Sequence, residues 1–422
     1  MMQTNACSSC PLHCTAPSAC AARGQIAEER HIHEECGVFG VYSQATADVA
    51  SLAYYALYAL QHRGQEGAGI ACARENALYC HKDVGLVTEA FPPQKMEKLP
   101  PARQAIGHTR YSTTGGNTVK NVQPFVTEFL TGRIATAHNG NVVNAREIRE
   151  KLKPFGLDFS ATSDSEVVSS LIAYRVMRCG DLVTGVKEAC KLLRGAFSLV
   201  VLSGDGKLAA VRDPNGYRPL CLGENASGMA VASESCALDS CGFSFVRDIR
   251  PGEVVLIENG KVLHSELCLR SPQQSLCVFE YVYFSRPDSV IDGISVHAAR
   301  KKAGAILAET QPVEADVVIG VPDSGLDAAL GYSEASHIPY GTGFIKNRYI
   351  ARTFIAPDQA SREDKVKIKL NPIRETVAGK SVIMIDDSIV RGTTSARIVR
   401  LLREAGAQQI HVRISAPPFL NP

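Results

Sequence analysis

The segment 382–394 constrains the fold more than any other part of the chain. It opens with a short apolar run, typical of a strand buried in a parallel sheet, and the acids Asp386 and Asp387 follow directly. A helix with apolar residues on one face then runs to Gly406, and the alternating apolar residues of 410–414 predict the next strand. A strand, a helix and a second strand in this order predict an open α/β domain with a parallel sheet.

The residues after the first of these strands have the chemistry of a sugar-phosphate site. Ligands bind open α/β sheets at the carboxyl ends of the strands, where Asp386 and Asp387 are expected to meet ribose hydroxyls or a hydrated metal ion. The next turn opens a helix, and the free N–H groups and dipole of a helix N-terminus bind phosphate. The alternative is a polar turn before an ordinary helix, which seldom combines an acidic pair with Gly-Thr-Thr. The residues predicted to bind the phosphates are Ser388, Arg391, Gly392, Thr393 and Thr394.

Two further features are predicted to belong to this site. The turn before Ser324 repeats the pattern one strand earlier, with a strand end, a tight turn and a hydroxyl at a helix start, although Asp and Ser are also ordinary turn formers. Lys346 begins a basic stretch that is followed by polar residues up to 369. This stretch is predicted to close over the substrate as a lid, and a solvated surface loop is the alternative.

The segment 382–394 resembles the motif with which type I phosphoribosyltransferases bind 5-phosphoribosyl-1-pyrophosphate (PRPP). The resemblance implies that a nucleophile displaces pyrophosphate at C1 of the ribose. It also implies that Ser324, Asp386 and Asp387 hold a Mg²⁺ ion against the charge that develops on the leaving group. Lys346 is expected to help bind PRPP.

The whole chain has room for more than this domain. Its 422 residues suffice for two or three domains, and its net charge of +2 gives no electrostatic reason to expect nucleic acid or a membrane as a partner. No apolar run approaches the roughly 20 residues that span a bilayer. Residues 1–35 lack the apolar centre of a secretory signal, so a cytoplasmic location is predicted, with the 14 cysteines as thiols, metal ligands or nucleophiles.

The first part of the chain predicts another architecture. Residues 1–35 are predicted to be a disordered tail, and a metal site is the alternative for its cysteines, Cys7, Cys10, Cys14 and Cys20. A strand at 37–42 and a helix capped by Asp48 follow. Short strands up to about 265, with only two clear helices near 144–153 and 164–178, predict layered sheets with helices outside them. The domain boundary is predicted near residue 270.

Five fragments of this first part are undistinctive singly but informative in their order. They are 35–40, 61–67, 107–111, 137–141 and 162–166. In this order and at these distances they resemble the N-terminal-nucleophile glutamine amidotransferases. The resemblance implies an α+β four-layer N-terminal-nucleophile hydrolase fold in which residues 1–35 are a propeptide and Cys36 becomes the mature N-terminus and the nucleophile.

The resemblance also implies the role of each remaining residue in the glutaminase site. Asn139 and the Gly140 N–H would stabilise the oxyanion, and Gly64 would leave room for the substrate backbone. Arg110 would pair with the substrate carboxylate, and Asp164 would bind its α-amino group. Processing has a chemical rationale, because a free α-amino group with a pKa of about 8 can accept the Cys36 thiol proton, whereas an amide nitrogen cannot.

A glutaminase domain at 36–270 followed by a phosphoribosyltransferase domain at 271–422 is similar to one family, the glutamine PRPP amidotransferases. The resemblance implies the reaction of glutamine, PRPP and water to 5-phosphoribosylamine, glutamate and pyrophosphate, which opens purine synthesis. Purine nucleotides are expected as feedback inhibitors, and a homo-oligomer, in the family a tetramer, is expected. Ammonia would cross between the sites along a dry path for which Tyr281, Tyr283 and Phe284 are candidates, although core packing explains them equally well.

The propeptide marks the branch of this family that carries a [4Fe–4S] cluster. Cys277 stands where one cluster ligand would be, although relatives without a cluster also have a cysteine there. Four thiolates are needed, and the other three are expected beyond residue 422. The sequence is therefore expected to be a fragment, with a cluster possible only in a longer form.

Three other hypotheses compete with this interpretation. Asparagine synthases and glucosamine-phosphate synthases share the first domain, but neither needs the PRPP motif around Asp386. A PRPP-sensing regulator would keep the fold without the chemistry and would show a broken motif or an added DNA-binding module. A fragment could also bind its substrates without activity, and PRPP-dependent release of glutamate would distinguish these possibilities.

Overall fold

The computed structural model describes residues 36–111, 117–347, 370–389 and 392–418. None of the helices in these ranges is both long and apolar enough to cross a membrane. Some sequence predictions lie outside the described residues: the tail 1–35 with Cys7, Cys10, Cys14 and Cys20, the predicted lid beyond 347, and Arg391.

Residues up to 267 form two antiparallel sheets. The first has seven strands in the order β11-β9-β10-β1-β4-β2-β3, and the second has six in the order β13-β12-β8-β7-β6-β5. The strands are β1 (Gly37–Ala47), β2 (Gly67–Arg74), β3 (Ala77–Val84), β4 (Ala102–Arg110), β5 (Phe125–Phe129), β6 (Gly132–Val142), β7 (Gly195–Ser203), β8 (Leu208–Arg212), β9 (Cys221–Asn225), β10 (Gly228–Ala232), β11 (Ser244–Asp248), β12 (Glu253–Glu258) and β13 (Lys261–Leu267).

Helices cover the outer faces of the two sheets. They are α1 (Val49–Ala59), α2 (Val87–Ala90), α3 (Pro93–Met96), α4 (Ala145–Leu152), α5 (Asp164–Cys179), α6 (Leu182–Cys190) and α7 (Ser235–Ser240). One apolar core lies between the sheets and joins Ile106 to Val200. A second lies under α1 and the first sheet, and a third lies under α4–α6 and the second sheet. This is the predicted four-layer arrangement.

The later residues form a parallel sheet between two helical layers. Strand β19 lies between β16 and β20 and is parallel to both. One core packs Val318 and Ile383 against the helix that contains Ala328, and the other packs Met384 against the helix that contains Leu402. The elements are β14 (Val290–Ile291), β15 (Ile294–Ser295), α8 (Val296–Thr310), β16 (Val317–Gly320), α9 (Gly325–Ser336), β17 (Phe344–Lys346), β18 (Leu370–Pro372), α10 (Arg374–Val377), β19 (Ser381–Asp386), α11 (Thr393–Glu404) and β20 (Gln409–Ile414). The predicted open α/β architecture is confirmed.

Helices α8 and α9 touch through a reciprocal pair of glycines. A Cβ on Gly304 would lie 1.8 Å from the carbonyl oxygen of Ala328, and a Cβ on Gly331 would lie 1.8 Å from that of Lys301. Any side chain at either position would push the helices apart. The two glycines therefore fix the close spacing of the helices.

The predicted boundary near residue 270 stays a prediction. From Cys36 onward the described residues belong to one compact unit. The segment just beyond the boundary also bonds back to the first part of the chain, because Ser275 N–H donates to the Asn215 carbonyl at 2.8 Å and Val290 N–H donates to Ser235 Oγ at 2.9 Å.

The prediction of only two clear helices between 65 and 265 is wrong, and α6 is the longest of those missed. Gly185 lies in its interior, where glycine costs about 1 kcal/mol relative to alanine. A Cβ at this position would lie 2.5 Å from Cα of Val176 in α5, so the glycine permits close packing of the two helices. Tertiary contact therefore outweighs helix propensity here.

Candidate active site

Cys36 lies at the start of β1 and is buried, with only 8% of its surface exposed. Its Sγ lies 3.5 Å from the Tyr111 carbonyl oxygen, and its own carbonyl accepts a hydrogen bond from Nε of Arg63 at 3.0 Å. A fully buried guanidinium therefore holds the backbone of the predicted nucleophile.

Asn139 and Gly140 lie together on β6, as an oxyanion site requires. Gly140 has a φ of +151°, and a Cβ there would lie 2.1 Å from the Ala196 carbonyl oxygen, so only glycine fits. Asn139 is fully buried, and neither polar atom of its amide has a hydrogen-bond partner among the described residues. A buried amide without partners is costly, which favours a site that a ligand completes.

Hydrogen bonds to Gln123 and His108 fix the backbone of His138, the residue before Asn139. The His138 carbonyl accepts hydrogen bonds from Gln123 Nε2 at 3.0 Å and from His108 Nε2 at 3.1 Å, and the His138 N–H donates to Gln123 Oε1 at 2.7 Å. Burial lowers the pKa of His108 to about 3, and burial also lowers the pKa of His138. Both imidazoles are therefore neutral near pH 7, and they position the strand without adding charge.

The structure places the predicted substrate-binding residues beside these groups. Arg110 ends β4, where Nη1 donates to Asn117 Oδ1 at 3.4 Å. Burial lowers the pKa of Arg110, and Cys36 acts in the opposite direction, which indicates that the two groups are close. Asp164 begins α5, and its Oδ2 accepts the Val142 N–H at 2.8 Å. One oxygen of Asp164 thus fixes the end of β6.

Close packing against strand β4 requires glycine at position 64, and the sequence did not indicate this contact. A Cβ at this position would lie 2.6 Å from the backbone carbon of Arg110. The close approach is therefore to strand β4 of the same chain. Its predicted role toward the substrate backbone stays a prediction.

Arg63 is the centre of a buried ion network. Its Nη1 donates to Glu234 Oε1 at 2.7 Å and to Glu280 Oε2 at 2.9 Å, and its Nη2 donates to Glu280 Oε1 at 2.8 Å. All three side chains are fully buried. Burial alone would lower the pKa of Arg63, but Glu280 and Glu234 outweigh it and raise that pKa above its usual range. The guanidinium is therefore permanently charged and has two anionic partners.

Glu234 and Glu280 were not identified from the sequence. Glu234 also accepts hydrogen bonds from the Arg286 N–H at 2.9 Å and the Ser289 hydroxyl at 2.7 Å. Burial opposes its ionised form, but His62 and Arg63 lower its pKa well below the usual range. A sequence signal for Glu280 did exist, because a single carboxylate inside an aromatic run indicates a buried, paired charge.

The predicted PRPP residues converge at the carboxyl end of β19. Ser324 Oγ and Ser388 Oγ both hydrogen-bond to the Asp387 carboxylate, the latter at 2.6 Å. Burial, with the charge of Asp387, raises the pKa of Asp386 to about 7. The Lys346 ammonium pairs with Asp323. The Asp387 carboxylate therefore joins two hydroxyls at the end of β19, directly after Asp386.

Gly392 precedes α11 with a φ of +73°, a conformation that favours glycine. Thr393 and Thr394 are exposed at the N-terminus of this helix. This geometry suits the predicted phosphate contacts.

The donors present at this site fit Mg²⁺. No group of three or more His, Cys, Asp or Glu side chains suited to a metal occurs in the described ranges. Mg²⁺ is commonly bound by one or two carboxylates together with waters and substrate phosphates, so Asp386, Asp387 and Ser324 are sufficient for the protein's share.

Cys277 has no comparable donor set around it in the part of the chain that the structure describes. Its N–H donates to the Tyr217 carbonyl at 3.2 Å. The described residues do not form the four-thiolate set of a [4Fe–4S] cluster. The predicted role of Cys277 stays a prediction.

A cavity of about 370 Å³ is lined by residues from both parts of the chain. It is lined by His62 and Arg63 on one side and by Asp323 and Ser324 on the other, with Tyr283 and Phe284 also in its wall. Burial raises the pKa of Tyr283, and the charges of Asp387 and Tyr111 add to this effect, so its ring is near both sites.

Tyr281 differs from the other two candidates for the ammonia path. Its hydroxyl donates to the Ile291 carbonyl at 2.8 Å, and it does not belong to the cavity wall. Packing of the hairpin β14–β15 explains its position.

The fold and the two site geometries define a class of protein, a glutamine amidotransferase whose chain continues into a phosphoribosyl-transferring domain. A family model described as a glutamine amidotransferase domain matches residues 108–240. The amidophosphoribosyltransferase of Bacillus subtilis is 48% identical over 400 residues, which cover 94% of this chain and 82% of the relative. That of Methanocaldococcus jannaschii is 47% identical over 402 residues, which cover 92% and 85%.

Two solved structures are similar over the same length. One is glutamine PRPP amidotransferase from B. subtilis complexed with ADP and GMP, with 47% identity, a TM-score of 0.83, and 92% of this chain and 83% of that chain covered. The other, described as the allosteric regulatory enzyme of purine biosynthesis, has 47% identity, a TM-score of 0.84, and coverage of 92% and 82%.

The chain belongs to the amidophosphoribosyltransferase family. It transfers nitrogen from glutamine to PRPP and gives 5-phosphoribosylamine, glutamate and pyrophosphate, the first committed step of purine synthesis. The similarity extends through both regions, whereas asparagine synthases and glucosamine-phosphate synthases share only the first.

Replacing Asn139 by alanine is expected to lower the glutamine-dependent rate about 10²- to 10³-fold, because an oxyanion donor is lost. The rate with ammonia as the nitrogen source is expected to stay unchanged. Steady-state kinetics with each nitrogen source would measure both effects.

Asn121→Ala is a matched control for stability. Asn121 is also buried, but its amide exchanges hydrogen bonds with Thr162 at 3.0 Å. In thermal unfolding, only Asn121→Ala should be less stable through lost hydrogen bonds, because the Asn139 amide has no partners among the described residues. A normal glutamine-dependent rate in Asn139→Ala would show that Asn139 does not stabilise the oxyanion.

Proposed function

We propose that Cys36 is the nucleophile that releases ammonia from glutamine and that Asp386 and Asp387 form the acceptor site. The observation that carries this proposal is the cavity whose wall joins Arg63, which holds the Cys36 carbonyl, to Ser324, which contacts Asp387. In this proposal, the nitrogen released at Cys36 passes through this cavity to the acceptor site. Neutral ammonia keeps its lone pair only if it is not protonated on the way.

The proposed glutaminase step uses the Cys36 thiol, the side-chain amide of glutamine and one water molecule. The Cys36 sulfur attacks the side-chain amide carbon of glutamine, the carbon–nitrogen bond breaks, and ammonia leaves with the thiol proton. Asn139 and the Gly140 N–H would stabilise the negative oxygen of the tetrahedral intermediate. Water then hydrolyses the thioester to glutamate and regenerates the thiol. Arg110 would hold the substrate carboxylate, and Asp164 would hold the substrate amine.

Removal of residues 1–35 belongs to the same proposal. The thiol needs a base, and the buried histidine His108 is unsuited because its pKa is about 3 and its Nε2 is already bonded to the His138 carbonyl. A free α-amino group on Cys36 would have a pKa near neutrality and would adjoin the thiol. Cleavage before Cys36 would create this base.

At the acceptor site ammonia attacks C1 of PRPP, and the bond from C1 to the pyrophosphate oxygen breaks. Asp386, Asp387 and Ser324 would hold Mg²⁺, which when bound neutralises charge on the departing pyrophosphate. Gly392, Thr393 and Thr394 would bind the 5-phosphate with the N-terminal N–H groups of α11. Lys346 and Ser388 are further PRPP ligands in this proposal, as is Arg391, outside the described residues.

Three wider properties are proposed on the strength of the relatives and the sequence. Purine nucleotides are inhibitors, which the ADP and GMP in the B. subtilis structure support and which inhibition assays with each nucleotide would test. The enzyme is a cytoplasmic homo-oligomer, measurable by cell fractionation and by light scattering. Cys277 is a ligand of an iron–sulfur cluster, which iron analysis of the purified protein would test.

Cys36→Ala is expected to abolish glutamate release while the ammonia-dependent formation of pyrophosphate persists, because only the first half-reaction uses the thiol. Parallel assays with glutamine and with ammonia would measure this. Cys179→Ala removes an exposed thiol at the end of α5 and serves as the control. Glutamine-dependent activity in Cys36→Ala would contradict the assignment.

The purified active enzyme is expected to begin at Cys36. Intact-mass measurement and N-terminal sequencing of active material would determine this directly. An active preparation that still carries Met1 or Met2 would show that the α-amino group of Cys36 is not the base.

Asp387→Asn is expected to slow pyrophosphate release about 10²-fold or more with either nitrogen source, because a charged ligand of the metal and substrate is lost. Removal of Mg²⁺ by a chelator should abolish the same activity, and its return should restore it. Asp316→Asn, at the opposite end of β19, removes a carboxylate that accepts the Ser381 N–H at 2.8 Å and should leave the rate unchanged. Full activity of Asp387→Asn would exclude the proposed role.

A further inference from the structure

A continuous series of buried contacts joins Cys36 to helix α8. Arg63 Nε holds the Cys36 carbonyl, and both terminal nitrogens of Arg63 hold the Glu280 carboxylate. Glu280 also accepts the Ser285 hydroxyl at 2.8 Å. Arg300 of α8 then donates to the Ser285 carbonyl at 2.7 Å.

Glu280 begins the π-helical turn Glu280–Phe284, which forms part of the cavity wall. Tyr283 and Phe284 of this turn face the cavity. Arg300 holds the turn at two points, because Nε also donates to the Tyr281 carbonyl at 2.7 Å. The turn is thus clamped from the glutaminase side by Arg63 and from the phosphoribosyl side by Arg300.

The chemistry requires that these two clamps act together. Ammonia that escapes from the cavity becomes protonated in bulk water and loses its lone pair. Glutamine would then be hydrolysed without product formation at PRPP. A wall element that is fixed to the nucleophile at one end and to the acceptor region at the other would limit this loss.

We infer that Glu280 is a positioning residue that couples the two half-reactions, by fixing the cavity wall to the Cys36 backbone through Arg63. This inference rests on the proposed role of Cys36. Glu280 is fully buried against Arg63 and the Ser285 hydroxyl. It acts through a bidentate ion pair whose geometry is specific and whose burial makes it intolerant of partial loss.

Glu280→Gln keeps the shape of the side chain but removes its charge. The parent enzyme should release glutamate and pyrophosphate in equal amounts when both substrates are present. In the variant, the ratio of glutamate to pyrophosphate is expected to rise about three- to tenfold, because the wall loosens and ammonia leaks. Quantifying both products in one reaction measures the ratio.

Glu253→Gln is a closely matched control. Glu253 is also a buried carboxylate with a bidentate arginine, Arg247 at 2.8 and 2.9 Å, and a serine hydroxyl partner, Ser265. Glu253 has no contact with Arg63 or the cavity wall in the described structure. Glu253→Gln should also be less stable, because it removes a carboxylate charge opposite an arginine. It should still release glutamate and pyrophosphate in equal amounts.

Arg300→Lys tests the same wall from the other side, since lysine cannot reproduce the two separate donations to backbone carbonyls. Arg300→Lys replaces Glu280→Gln in this experiment if Glu280→Gln does not fold. The same rise in the ratio of glutamate to pyrophosphate is expected. Equal product amounts in a folded Glu280→Gln, or in Arg300→Lys in its place, would overturn the inference. An equal rise in Glu253→Gln would do so too.

A wrong assignment of Cys36 as the nucleophile would give a different result. It would show as glutamine-dependent activity in Cys36→Ala. Failure of the coupling role alone would leave Cys36→Ala inactive while the product ratio of the Glu280 variant stays normal.

Discussion

The pairing of Arg63 with Glu234 and Glu280 is the interaction on which the glutaminase end and the cavity both depend. Removing three charges from water costs several kcal/mol for each ion, and only close, saturated hydrogen bonding offsets that cost. The guanidinium meets this requirement because its three nitrogens all have partners, the Cys36 carbonyl and the two carboxylates. Sequence-distant segments are consequently held in one arrangement, since no partial version of the network is favourable.

The two reaction centres use different physical means. Around Asn139, antiparallel strands and two neutral imidazoles form a buried site, where electrostatic interactions are stronger than in water. At the end of a parallel strand, burial raises the pKa of Asp386, and the charge of the adjacent Asp387 adds to the effect. The first site is proposed to stabilise a negative oxygen, and the second is proposed to bind a cation and phosphates.

Local patterns predicted what depends on neighbours along the chain. The apolar run before Asp386 and the alternating residues of 410–414 gave strands β19 and β20, and the Asp48 cap was confirmed by its bond to the Ser51 N–H at 3.0 Å. The family motifs located Asn139 and the acidic pair. Arg63 lies in the fragment 61–67, but its role as an ion-pair centre was not visible, because its partners lie 171 and 217 residues away. Spacing in one sequence carries no information about such pairs.

The glycines that bring α8 and α9 into backbone contact have a mechanical consequence. Two helices that meet without intervening side chains cannot slide or tilt against each other without a clash, so they move as a single rigid body. We therefore expect Arg300 on one helix and the Ser324 turn at the start of the other to keep their separation when substrate binds. Any adjustment to substrate has to arise in segments outside this helical pair.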